Sequence, residues 1–166
     1  MDHTAVWQDL LATLRTEQDT YCRLSALLDE EHGLLRRMDH HGLLEVTGRK
    51  EPLLHDLRRY EQRRTLLLQT LLGPKPHVDP SKWVIELDQA PSPFGPRAST
   101  AFRKLLAVAK TVAEQGRRNA FLTYRGLSMV REALRLIYAG ESVQPVYRGS
   151  GELALPAVTS SLSIRG

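Results

Sequence analysis

The chain has 166 residues, a net charge of +4 and a pI near 9.5, with 42% hydrophobic, 25% charged and only 6% aromatic residues. That is enough chain for one soluble domain whose core is packed mainly by Leu and Ala, and no run approaches the roughly 18 apolar residues of a membrane span. The single cysteine, Cys22, excludes an internal disulfide and a cysteine-based zinc cluster, and it suits a reducing compartment.

The first predicted element is a long helix over about residues 4–38. Trp7, Leu14, Tyr21, Leu28 and Leu35 stand seven apart, with Leu10, Leu24 and Met38 in a companion series interrupted by Glu17 and Glu31. A seven-residue apolar repeat held this long packs one helix along another. Leu11, Leu27 and Leu34 widen the stripe, so it covers more than one neighbour. Asp39-His40-His41-Gly42 reads as the polar break of an antiparallel hairpin.

A second helix is predicted over about 43–72. Val46, Leu53, Tyr60 and Leu67 form its main series, and Leu43, Leu57 and Leu71 its companion, interrupted by Lys50 and Arg64. The long stems of those two residues are expected to pack while their charges reach water. The Val46–Leu67 series is the simplest permanent partner for the first repeat. Pro52 either starts the main helix or kinks a longer one; the in-phase series on both sides favours the kink. Gly73-Pro74 ends the element. Six prolines between 73 and 97 mark a linker with room for one short helical turn, Ser81 to Leu87, placing Trp83 and Leu87 on one face.

The third long helix is predicted over about 98–139. Leu106, Ala113, Ala120, Leu127 and Leu134 form one series, and Phe102, Ala109, Gly116, Thr123, Val130 and Ile137 another. Its ends are large and apolar. Its middle, with Gly116 and Gly126, is small enough for a partner helix to come close. Asn119 is either an exposed helix residue or a polar group that fixes the register of a partner helix. The expected fold is therefore all-α: a coiled-coil-like antiparallel hairpin and a third long helix in a domain of residues 1–140. Residues 141–166, rich in Gly, Ser and Pro, are expected to be a flexible tail.

Chemistry is sparse. The six histidines form no H-E-x-x-H pair, and no glycine-rich phosphate loop or G-x-S-x-G elbow occurs. Glu30 and Glu31 are helix neighbours that diverge by about 100°. No cofactor, metal or enzymatic activity is expected. Arg58, Arg59, Arg63 and Arg64 are interleaved with Asp56 and Glu61, which reads as a solvated helix face and not a nucleic-acid site. The Met-Asp-His-Thr start is unlike a secretion signal, so a cytoplasmic protein without membrane insertion is expected.

Three segments carry a family resemblance. Thr47, Lys50, Leu53, Leu54 and Leu57 match a T-x-x-K-x-x-L-L-x-x-L run; Gly116 to Leu122, with Asn119 and Leu122, is similar to an N-x-x-N-x-x-L segment; and Tyr147-Arg148-Gly149-Ser150-Gly151 is similar to a Y-G-x-x-G tail motif. Together they resemble FlgN-type flagellar type III export chaperones, over nearly the whole chain. Gly116 in place of the first Asn, and the intervening Arg148, depart from the pattern. The resemblance implies a chaperone of hook-filament junction proteins that captures their C-terminal helical segments and delivers them to the cytosolic domain of the flagellar export gate. It implies Tyr147 and Gly151 as gate-docking residues. On the third helix the expected substrate-binding residues are Asn119, Leu122, Leu127, Val130, Leu134 and Ile137, laid against the apolar face of an amphipathic helix. A structural coiled-coil adaptor or self-assembling rod is the alternative reading of the same heptads.

Overall fold

The computed structural model describes residues 3–74 and 79–140 and two short strands beyond them. The fold is all-α, with four helices among the described residues: α1 (His3–Arg37), α2 (His40–Leu72), α3 (Pro80–Gln89) and α4 (Gly95–Gly140). The strands β1 (Val146–Tyr147) and β2 (Leu153–Ala154) pair antiparallel, Tyr147 opposite Leu153. The rest of the expected tail lies outside the described residues. Two compact units divide the chain, Met1–Thr123 and Tyr124–Gly166.

Within Met1–Thr123, α1 and α2 form the hairpin that their heptads require. The break between them is shorter than the four polar residues suggest. Met38 takes a left-handed conformation with φ 55°, and Asp39 caps α2 by accepting a 3.0 Å hydrogen bond from the Gly42 N–H. His40, His41 and Gly42 are already the first turn. Gly42 leaves room there for Leu34: a Cβ would lie 2.6 Å from a Leu34 methyl, so a larger residue would make that side chain shift. Helix α2 then runs unbroken through Pro52.

The polar interruptions of the two repeats meet each other. Glu17 bonds Arg64 at 2.8 Å, and Glu31 bonds Lys50. Both pairs have residue numbers adding to 81, as do Leu24 with Leu57 and Leu28 with Leu53, so one antiparallel register carries the charged and apolar layers alike. The stems of Lys50 and Arg64 are packed as expected, with 16% and 13% of those side chains left exposed, and their charges meet Glu31 and Glu17. A slip of one heptad would leave buried charges opposite leucines, which is how polar core positions specify register.

The proline-rich connection contributes to the core. Asp79 caps α3 through the Ser81 N–H, Pro80 occupies its first turn, and the helix lasts ten residues. Trp83, Val84 and Leu87 are buried with Trp7, Leu10, Leu14, Leu68, Phe102 and Leu105. Arg103 on α4 pairs with Asp88 on α3. Gly95 opens α4 where a Cβ would stand 2.5 Å from the Leu87 carbonyl oxygen, so the α3–α4 turn closes only around glycine. A second apolar layer, Leu24, Leu28, Leu53, Leu57 and Val112, continues the packing. Tyr21 packs against both layers.

Candidate partner-binding face

Among the buried residues of α4 are Ala98, Phe102, Leu105, Val112 and Asn119. Steps of three, four and seven place them on one helical line that faces the hairpin. Asn119 is 3% exposed and ends that line. Its amide donates to the Leu28 carbonyl at 2.7 Å and to Glu31 Oε2 at 3.0 Å, and its carbonyl oxygen stands 3.1 Å from His32 Nδ1. Because that oxygen only accepts, His32 must carry its hydrogen on Nδ1. Glu31 also holds Lys50, so one carboxylate joins α1, α2 and α4. Asn119 thus fixes a helix register within its own chain. Ser25 with Gln115 at 2.9 Å, and Asp29 with Arg118 at 3.1 Å, support the same contact.

In Tyr124–Gly166, a line of large apolar residues on α4 stands exposed. Leu127, Val130, Leu134 and Ile137 lie on one line and are 45–60% exposed. Tyr138 joins them at 65%. Large apolar side chains clustered this way on a helix mark an interaction surface more strongly than scattered ones. Leu122 stands apart from that line. It is half-buried and is rotated about 100° around the helix axis from the line's centre. Its heptad successors Met129 and Leu136 are exposed on a second face. Tyr138 escaped the sequence-based set although it stands four residues after Leu134; Met129 and Leu136 were off the predicted seam. The small middle of the helix is not filled by the chain's own packing: a Cβ at Gly116 or Gly126 meets nothing within 4 Å.

Tyr147 lies in β1, and Gly151 is outside the described residues. Arg59, Arg63 and Arg64 are answered by Asp56, Asp9 and Glu17. Among the described residues no group of three or more His, Cys, Asp or Glu is placed to hold a metal ion, and no helix is long and apolar enough to cross a membrane.

An all-helical scaffold with a long open apolar line is the architecture of a helical partner-binding protein. The family model described as FlgN protein matches residues 1–154, and the chain belongs to the FlgN family, whose general role is flagellar export chaperoning. No curated protein matches the chain, and no solved structure matches it.

Proposed function

We propose that this chain is a non-enzymatic, cytoplasmic chaperone that holds the C-terminal amphipathic helix of hook-filament junction proteins on the α4 face Leu127, Val130, Leu134, Ile137. The observation that carries the reading is the exposure of those four side chains in one helical phase. Four large apolar side chains left in water are a standing cost, at roughly 1.5–3 kcal/mol for each one fully buried. An amphipathic helix laid along them recovers much of it and shields its own apolar face from premature association. After capture, the complex is delivered to the cytosolic domain of the export gate, with the Tyr147 segment as the docking element.

The test is calorimetric titration with C-terminal peptides of junction proteins. Leu127→Asp with Leu134→Asp should abolish binding while circular dichroism stays essentially unchanged; undiminished binding removes this face from the mechanism. Tyr147→Ala should keep peptide affinity and weaken the gate domain's grip on the loaded chaperone. Equal gate affinity removes Tyr147.

A further inference from the structure

A second surface lies wholly within Met1–Thr123. Where α1 passes the start of α4, a depression of about 440 Å³ opens. A smaller one, about 280 Å³, shares Leu11, Arg15 and Arg97 with it. Leu11 and Ala101 give the groove an apolar floor, and Phe94 lines the smaller depression. Arg15, Arg97 and Lys104 stand exposed on its walls.

No carboxylate lines either depression. None of the three cations takes part in the ion pairs formed among the described residues. Asp19, one turn from Arg15 on α1, does not line the groove. The depressions elsewhere differ: Arg58 has Glu61 beside it, and Arg59 and Arg63 share theirs with Asp9. The arrangement also opposes the helix it sits on. The first turn of α4 holds no acid but does hold Arg97, at the end where the helix dipole is positive and a cation is disfavoured. Like charges crowded around a low-dielectric floor raise the local potential and attract an anionic partner.

We propose that this groove docks an acidic, amphipathic segment of a protein partner, with carboxylates on Arg15, Arg97 and Lys104 and one apolar side chain on the Leu11–Ala101 floor. The surface shares no residue with the α4 face assigned to export substrates, so it is a second docking site whose test does not depend on the first. A recessed apolar floor between separate cations suits a side chain entering from a peptide. Nucleic acid would be served by a continuous basic stripe with stacking aromatics. A membrane would be served by protruding apolar bulk.

The experiment uses the full chain carrying Leu127→Asp and Leu134→Asp, so that the α4 face does not take the probe, and a fluorescein-labelled amphipathic helical peptide bearing Glu on its polar face and Leu on the other, beside the same peptide with every Glu replaced by Gln. The Glu peptide should bind with an affinity that falls as salt rises, and the Gln peptide should bind at least about tenfold more weakly. Arg15→Glu with Arg97→Glu and Lys104→Glu should lose at least about tenfold for the Glu peptide. Reversal of Arg58 and Lys110, which lie off the groove, should change nothing. If the triple reversal disturbs α4, Arg15→Gln with Lys104→Gln carries the test and should lose about threefold or more. Equal binding of the two peptides, or full binding by the groove variants, overturns the proposal. So does tighter binding of single-stranded DNA or of phosphatidylglycerol vesicles through the same three residues.

Discussion

Glu17 on α1 and Arg64 on α2 share two hydrogen bonds, at 2.8 and 3.2 Å, with 1% and 13% of their side chains exposed. The Arg64 guanidinium also lies 5.0 Å from the centroid of the Phe102 ring on α4. One ion pair therefore sits where three helices meet. Removing only one partner leaves a buried charge without its counter-charge. Arg64→Met should cost about 3–5 kcal/mol, whereas Glu17→Leu combined with Arg64→Met should be near neutral or stabilising by about 1–4 kcal/mol. Urea unfolding of the single and double variants checks this. A double variant as unstable as Arg64→Met would mean that the pair itself contributes most of the stability.

The same burial sets an unusual pH dependence. Desolvation pushes the Glu17 carboxyl above its ordinary value of 4.5, outweighing the Arg64 hydrogen bond and charge that lower it, and nearby Glu61 adds to the rise. A carboxyl with a raised folded pKa binds its proton more readily in the folded state. Its contribution is fully present below pH 4.5 and is lost as pH rises through the raised value. Glu17→Gln removes the titration and keeps an acceptor for Arg64. The melting temperature of the parent chain relative to Glu17→Gln should therefore fall as pH climbs from 4.5. A difference that is flat, or that grows with pH, contradicts the assignment.

Much of this architecture is written in the heptads. The Trp7 and Val46 series locate α1 and α2 because a stripe that long admits only a helical partner. The charge pairing was legible too, though it was read as solvated: Glu17 and Glu31 are spaced like Lys50 and Arg64, and an antiparallel hairpin brings each acid onto a base. Helix α3 was legible as one short turn, Ser81 to Leu87, within the proline-rich segment, although its full ten residues were not. Asp79-Pro80 is nonetheless a capping residue followed by a first-turn proline, the signature of a helix start. The state of the α4 stripe was not legible. An apolar heptad has the same period whether it is covered, as at Phe102 and Leu105, or open, as at Leu127 and Leu134. The cationic groove leaves no periodic trace, because Arg15 and Arg97 become neighbours only through the fold.

Asn119 makes a prediction that separates register from substrate contact. Its amide is buried against Leu28 and Glu31. Asn119→Ala removes both donors, but Glu31 keeps Lys50, so the loss should stay within about 1–3 kcal/mol. Asn119→Asp should cost more at neutral pH, because it sets a second carboxylate against Glu31. Thermal unfolding gives the order. Peptide binding per folded molecule should be unchanged in Asn119→Ala; a large loss with intact stability would return Asn119 to the substrate site.

Trp83 tests whether α3 is core or connection. Its side chain is 7% exposed and is buried with Trp7, Leu87 and Phe102. Trp83→Ala should destabilise the chain by about 3–5 kcal/mol. Trp83→Phe, which keeps most of the apolar volume, should cost clearly less. A mobile linker would tolerate both changes within about 0.5 kcal/mol in urea unfolding.

Pro52 lies inside α2 and is exposed, between the hairpin-facing Val46 and the buried Leu53 and Leu57. It gives no N–H to the carbonyl of Gly48, and a Cβ at Gly48 would meet nothing within 4 Å. Two residues that weaken a helix thus fall within one turn. Proline in a helix interior costs about 3 kcal/mol against alanine. Its loss also frees the unfolded chain by about 0.4–1 kcal/mol. Pro52→Ala should therefore stabilise the protein by about 2 kcal/mol. The register, held on either side by Lys50 with Glu31 and Arg64 with Glu17, keeps the variant helix in the same alignment. Urea unfolding measures the gain. A loss instead would mean that Pro52 itself helps hold Leu53 and Leu57 in the layer with Leu24 and Leu28.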